Sequence, residues 1–578
     1  MAEIQVIGIG SAANDGTGDT IRVGMDKVND NFTNFKFEGT NFTGSLLIGG
    51  STTGTLSNAL GNTGVGIAAL DAITTGDYNV AIGNIAGSAL TEGERNVLMG
   101  YAAGDAITTG GHNTAVGHGA LSAEDTHGYN VAIGYKTLNV QDAGANAYNV
   151  AVGYEAGLAV TTGIRNTLIG GSAGDAITTG VDNVALGYTA LGVEDTSSRN
   201  TAVGFESLAN QNLSVSSGYN AALGYQAAAG LTTGIYTIAI GGRALGGGTI
   251  TGNSNIGIGY KAGYALTAGQ FNIAVGHEAL MTEDGDGRNI AIGTSALKVQ
   301  NAGADAYNIA IGYSTGRLIT TGTQNTVIGG LAADALTTGS FNTALGYNSL
   351  GSETAGNRST ALGYFALFNQ NVGSDANNIA IGHSAGEQIT SGVKNVLVGN
   401  NSGDALTTGI NNVAIGYRAL SAEDAHGHNV AIGTEALTVQ NAGAEAYNVA
   451  IGHAAGQGVT SGVRNTIVGS FAADSLTTGD FNVAVGMQAL SSETGGSKNV
   501  ALGSGALELL NVNGDGNNVG IGFTAGQLMT SGIRNTVIGS LSGDALTTGG
   551  QNTFIGFNSG GATTDQSFNV AVGDSALG

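Results

Sequence analysis

A five-residue signature, Asn-Val-Ala-Ile-Gly or a close variant, recurs about every 17 residues from Asn62 to Asn569, and few folds other than a stack of similar coils can accommodate it. The anchoring Asn stands at Asn79, Asn96, Asn113, Asn130, Asn149, Asn166, Asn183 and Asn200, and the series runs on to Asn535, Asn552 and Asn569. Thr237 and Ser359 take the slot twice, which makes 30 anchors. An Ala-Leu or Ala-Gly step follows the signature, and then Leu-Thr-Thr-Gly. So short a unit cannot make a domain, but it can make one rung that stacks on the next at about 4.8 Å. Thirty such rungs predict a rod of roughly 140 Å.

The spacing has a second level. Slightly longer units interrupt the regular series, and they begin at Asn130, Asn200, Asn289, Ser359, Asn429 and Asn499. Four units separate each start from the next, except that five lie between Asn200 and Asn289. Four units therefore form a super-repeat, and one super-repeat has gained a fifth unit. Surface charge suggests one reason for it. Arg165, Lys394, Arg464 and Arg534 precede an anchor in matching units, and Asp175, Asp404, Asp474 and Asp544 follow further along the same units. One such charge per four rungs keeps like charges roughly 19 Å apart, beyond the Debye length of about 8 Å at physiological salt.

Within a unit, Val80-Ala81-Ile82-Gly83 alternates as a strand does. Val80 and Ile82 share one face, Ala81 and Gly83 the other. We expect the large face to fill the coil and the small face to let another sheet or chain approach. Thr74-Thr75-Gly76 closes the unit, with Gly expected at positive φ in a turn. Stacked anchor amides are expected to form a hydrogen-bonded ladder at a corner. The fold class is therefore all-β, a parallel β-solenoid of the β-roll kind with about 30 rungs. Residues 62–578 form the tandem-repeat shaft, 41–61 a transition into it, and 1–40 a separate N-terminal segment.

Composition narrows the function. The net charge is −24 with only 18 Lys and Arg, which disfavours nucleic acid and anionic membrane surfaces. No apolar run approaches the roughly 20 residues that span a bilayer, and the N-terminus has no signal-peptide pattern. There is no Cys, which removes disulfides, thiol catalysis and Cys-type zinc sites and makes folding independent of redox compartment. Synthesis in a host cytoplasm, followed by life in a virion or extracellular appendage, fits these features.

In the N-terminal segment, Asn14-Asp15-Gly16-Thr17-Gly18 is a turn cluster, and Asp19 or Thr20 can cap a helix over 20–36. Ile21, Met25, Val28, Phe32 and Phe35 are spaced as a short heptad seam, suited to assembly or attachment beside a larger shaft. The plainer alternative is an amphipathic helix packed on the first rung. Residues Gly10–Asp19 together with Lys27-Val28-Asn29-Asp30-Asn31-Phe32 resemble the opening of tailed-phage structural proteins, above all tail fibres and related appendages. The Asn-Val-Ala-Ile-Gly units resemble phage fibre shafts and the head domains of trimeric autotransporter adhesins. In those heads three left-handed parallel β-rolls pack around an axis. The resemblance implies a homotrimer. The chain departs from the adhesins in its longer repeats and in lacking their signal peptide, stalk and anchor. It ends mid-repeat at Asn569–Gly578 with no polar cap, so we expect its ends to meet other virion or fibre proteins, or a second copy end to end.

Candidate sites are few. The acidic turns at Ala123-Glu124-Asp125, at Glu283, Asp284 and Asp286, and at Ala422-Glu423-Asp424 offer oxygen ligands for Ca²⁺, but none matches a full calcium loop, and solvated turns are the first reading. His426 and His428 lie in such a turn without Cys, a weak metal signal. Tyr follows the signature Gly at Tyr135, Tyr154, Tyr188, Tyr225, Tyr260, Tyr313, Tyr347, Tyr364 and Tyr417, placed to pack on neighbouring rungs or another protomer, or to stack on sugars. No catalytic constellation stands apart from the repeat, so no catalytic or cofactor-binding residue is assigned and an enzyme is not expected. The expected function is a structural fibre. The alternatives are an extracellular adhesin for host glycan or matrix and, behind it, an ice- or ion-binding solenoid.

Overall fold

The computed structural model describes the Phe35–Lys36 backbone and residues 43–49, 56–213 and 217–578. They divide into two units, one ending at Asn272 and the other spanning Ile273–Gly578. Each unit is a parallel β-solenoid, and together they hold about thirty rungs, most of them one sequence repeat long. A rung contributes one three-residue strand, which pairs in register with its equivalent one repeat along. In the first unit Val80–Ile82 pairs with Val97–Met99, and in the second Val396–Val398 pairs with Val413–Ile415. The remainder of each rung is turns. No α-helix occurs among the described residues, and no helix there is long and apolar enough to cross a membrane.

The first ladder strand is Leu46–Ile48, parallel to Thr63–Val65. Phe35–Lys36 runs antiparallel to it, with Phe35 opposite Ile48 and Lys36 opposite Leu47. The helix expected over 20–36 therefore does not include its last two positions, because an extended backbone there pairs with the exposed edge of the first strand. Ile21, Met25, Val28 and Phe32 lie outside the described residues.

The two strand faces are the reverse of the expectation. Ala81 is fully buried, while Val80 is half-buried and Ile82 exposed. Alternation says which residues share a face, not which face is inside. A coil that closes within one short repeat has a narrow bore. Three inward side chains, such as Ala81, Ala86 and Leu90, fill it, and the larger strand residues are left pointing out.

Filling that bore requires compensation between positions. Where the strand centre is large, the residue six places later is small: Gly104, Gly174 and Gly403 after Leu98, Leu168 and Leu397, and Ala333 and Ala473 after Val327 and Ile467. A Cβ on Gly104 would lie 2.8 Å from Leu98 Cδ2. Where the centre is Ala the later residue can be Leu, as Leu121 after Ala115 and Leu191 after Ala185, both buried. The large centres Val327, Leu397, Ile467 and Val537 follow one another at intervals of one super-repeat. The super-repeat is thus a period of core packing. Opposite charges meet between adjacent rungs: Arg165 pairs with Asp182 on the next rung at 2.6 Å, and Arg358 pairs with Asp375.

Glycine is obligatory at the end of each strand. Gly83 has φ 141°, and a Cβ there would sit 2.2 Å from the carbonyl oxygen of Gly100. The Gly of Thr-Thr-Gly plays a different part from the one expected. Gly76 is not at positive φ, but it packs against the next rung so closely that a Cβ would lie 2.4 Å from Gly93 O. Positive φ falls instead on the residue before each anchor, such as Tyr78 at 58°, Arg95 at 57° and His112 at 62°. That left-handed residue turns the corner and directs the Asn inward.

Gly416 has φ 138°, and a Cβ would meet Gly433 O at 2.4 Å. We predict that Gly416→Ala opens the rungs around residues 396–432 and leaves distant rungs protected, because each rung contacts only its neighbours. Hydrogen exchange followed by peptide checks this. Unchanged protection at 396–432 would contradict the stacking account.

Candidate functional surfaces and the buried polar column

The anchor Asn column is fully buried from Asn79 through Asn200. It is not a simple stack of amides. The Asn79 backbone N–H donates to Asn62 Oδ1 at 2.9 Å, and Asn79 Nδ2 donates to Gly93 O at 2.8 Å. Asn96, Asn113, Asn166 and Asn183 repeat the first bond on the preceding anchor at 2.8–3.0 Å. One carboxamide thus accepts from the next rung and donates to the turn that closes its own. Thr237 and Ser359 still donate their N–H to Asn220 and Asn342, at 2.8 and 3.0 Å. The long units disturb the second bond. Asn130, Asn429 and Asn499 bury Nδ2 with no protein acceptor, while Asn200 turns to Ser197 Oγ at 2.8 Å.

A second polar column was not singled out in the sequence. At the interior place that Leu, Ile or Val fills in most rungs, Glu124, Glu194, Glu283, Glu353, Glu423 and Glu493 stand once per super-repeat. All six are fully buried. The next rung usually carries a buried Gln there, and Gln141, Gln211, Gln370 and Gln440 donate Nε2 to the Glu below at 3.3, 3.0, 3.0 and 3.2 Å. Glu493 has Leu510 in the Gln position and instead accepts N–H groups from Gly496 at 2.7 Å and Val512 at 3.2 Å. The signal in the sequence is an acid, usually followed one rung later by a Gln, in a column otherwise mostly aliphatic.

Burial pushes the carboxyls of Glu124 and Glu493 above the usual range. Burial, with the charges of Asp286 and Asp284 beside it, pushes Glu283 up to about 8. The carboxyls of Glu283, Asp284 and Asp286 converge within 4.8 Å, as do ligand atoms of Glu124, Asp125, His127 and Asp142, and of Glu423, Asp424 and His426. Glu283 points into the coil, where it accepts from Asp286 N and Asn289 Nδ2, both at 3.3 Å. Its oxygens are engaged by protein donors, whereas Ca²⁺ takes six to eight oxygen ligands, so this set is a poor fit for that ion. His426 and His428 diverge. His426 lies 3.4 Å from Glu423, while His428 stacks on Tyr447 at 4.9 Å between centroids.

The outward strand face of each unit carries rows of exposed aliphatic and aromatic residues. The residues one before and one, three and five after the anchor all point out, so every rung shows one or two aliphatics and often an aromatic. In the first unit Tyr101, His118, Tyr135 and Tyr154 form a run on successive rungs with centroids 4.9, 5.3 and 5.3 Å apart. In the second, Tyr347, Tyr364 and His383 stack at 5.6 and 5.2 Å. Tyr188, Tyr225, Tyr260, Tyr313 and Tyr417 are likewise exposed. A cation lies over a ring at several places, including Arg199 over Tyr219 at 5.5 Å and Arg464 over Phe481 at 5.2 Å. Arg165 holds the Asp182 carboxyl below its ordinary range.

Comparison with known proteins found no matching family model and no matching curated protein.

Because Glu283 keeps its proton in the folded chain, its contribution to stability is complete below about pH 4.5 and is lost as pH rises toward about 8. The loss runs at about 1.4 kcal/mol per pH unit. Glu283→Gln should melt higher than the parent chain at pH 8 and level with it near pH 4.5. Thermal melts across that range check this, and parallel curves for the two proteins would contradict it.

Proposed function

We propose that the chain is the subunit of a structural fibre, a shaft of a virion or extracellular appendage of the tailed-phage kind, assembled from parallel copies of itself. The observation that carries the reading is the outward face. Exposed apolar area that is contiguous over many rungs marks an interaction surface, and Val, Ile and aromatic columns repeat on the strand face of each unit. A surface that repeats at rung spacing is best matched by one with the same spacing, which a second copy supplies. The N-terminal resemblance to phage appendages supports the setting, and the resemblance of the repeats to trimeric heads supports three chains. Docking to other fibre proteins at the ends, or to further copies end to end, belongs to the same reading, as does a non-enzymatic role. Zero Cys and a low charge density suit a shaft that must persist outside a cell.

An adhesive role is the second reading, favoured by the exposed ring columns, which can stack on sugars or on a partner's side chains.

The test is solution mass. The parent chain should be oligomeric at micromolar concentration by light scattering, with three copies the expected number. Ile415 and Ile451 are 36% and 38% exposed, so Ile415→Asp with Ile451→Asp should leave the fold intact and shift the mass toward one chain. A parent chain that stays monomeric at every concentration would overturn the reading.

A further inference from the structure

One rung of the first unit departs from all its neighbours. The unit starting at Thr237, one residue longer than the regular rung, carries Gly246-Gly247-Gly248 in the stretch where the interior column is normally filled by a Leu or Ile. Ile250 takes over the interior place from a position further along, fully buried and bridged to Leu231. The glycines contribute no side chains of their own, and a groove of about 720 Å³ opens beside them. That volume lies within the roughly 300–1,000 Å³ typical of small-molecule sites. A shaft rung has no structural need for a groove.

Its lining identifies the chemistry. Glu206, Asn210, Gln226, Thr232 and Thr249 face it along with the glycine backbone, and Ala is the largest purely apolar side chain present. Lipid and apolar ligands are therefore poorly served. The polar groups are pre-set. Gln226 Nε2 donates to Glu206 Oε2 at 2.8 Å, Arg243 Nε donates to Gln226 Oε1 at 3.0 Å, and Asn210 Nδ2 donates to Ala229 O at 2.8 Å. Arg243 is the one cation in this network and Glu206 opposes its charge, so a phosphate or other anion is not favoured either. Planar amides, a carboxylate and hydroxyls presenting donors and acceptors side by side suit a ligand dense in hydroxyl groups. Aromatic surface lies alongside. Glu206 and Gln226 each directly follow a ring of the exposed stack Phe205–Tyr225, whose centroids are 5.4 Å apart. Tyr264 lays its ring against Gly247, where a Cβ would come 2.5 Å from Cε1.

We infer that the groove over Gly246–Gly248 is a carbohydrate-binding site for a short neutral oligosaccharide, held by Glu206, Asn210 and Gln226. It is a localised site on a single rung that borders the outward strand face, and since the fibre reading rests on that face over many rungs, failure to bind would leave that reading untouched.

The experiment uses the full chain and a panel of short neutral hexose and N-acetylhexosamine oligosaccharides, trimers to hexamers, with sulfated oligosaccharides as the anionic arm. Binding is read by saturation-transfer NMR and titration calorimetry. The parent chain should bind a neutral member, and Glu206→Ala with Gln226→Ala should weaken it at least tenfold. Ala209→Trp, which fills the groove without touching the hydrogen bonds, should do the same. Glu435→Ala is the control. It removes the partner of another cross-rung pair, Gln457 Nε2 to Glu435 Oε2 at 2.9 Å, remote in sequence from the groove, and should bind as the parent does. Circular dichroism and solution mass confirm that the variants fold. No neutral ligand bound at millimolar concentration, binding confined to the sulfated arm, or binding equally strong in both groove variants would each overturn the proposal.

Discussion

A single carboxamide at the corner of each rung sets what the rest of the coil can be. It accepts the next anchor's N–H and donates to the carbonyl of its own closing turn, so it fixes both rung spacing and rung length. An unpaired polar group at such a depth costs about 1–3 kcal/mol, which explains why Asn holds the position almost throughout. Asn has a donor and an acceptor at the right reach; Ser and Thr have one hydroxyl at a shorter one. The left-handed residue before it, Tyr78 or Arg95 for example, is the cost of aiming that amide inward. The same geometry brings the strand ends so close that Gly83 and its equivalents meet the next rung's carbonyl oxygen. Anchor, corner residue and glycine are one solution to one constraint.

Period and fold class were legible in the sequence because they rest on spacing alone. The sides of the strand were not. Val80 and Ile82 are larger and more apolar than Ala81, and in a globular sheet the larger pair would be the buried one. Here the bore decides, and bore width is a property of the closed coil that no short window of sequence contains. The helix expected over 20–36 met a similar limit at Phe35, since heptad spacing is blind to a strand edge waiting downstream at Leu46–Ile48. The aromatic and charged columns could be read as columns, but their partners could not. Arg165 and Asp175 recur in the same unit, but stacking puts Asp182, one full rung away, beside Arg165.

The outward face follows from the same inversion. A core made mostly of Ala, with one Leu or its like per rung, leaves the larger aliphatics and the rings at the surface, which an isolated soluble coil has little reason to carry. Their stacking on successive rungs covers part of each ring but not its edge, and the strand aliphatics remain open. Lateral association would bury what the coil cannot, so the narrow bore and the proposed fibre are linked: the first creates the apolar face that the second would use.

A chain of near-identical rungs faces one more problem, and the buried carboxylates bear on it. Any rung could in principle stack on any other, and the backbone ladder would not object. Core packing objects, because Leu98 needs Gly104 beside it and Ala115 needs Leu121. The acid column objects more strongly. Glu194 Oε1 accepts from Ser197 N in its own turn, but Oε2 accepts from Gln211 Nε2 on the next rung, and a slip of one, two or three rungs would take that side-chain donor away and set Leu or Ile in its place. Burying a polar group without a partner is costly, so each Glu–Gln pair penalises every misregister short of a whole super-repeat. Buried polar groups are best attested in this register-setting role. The raised carboxyls of Glu124 and Glu283 are consistent with a device that gives up some stability at neutral pH in return for a defined stacking order.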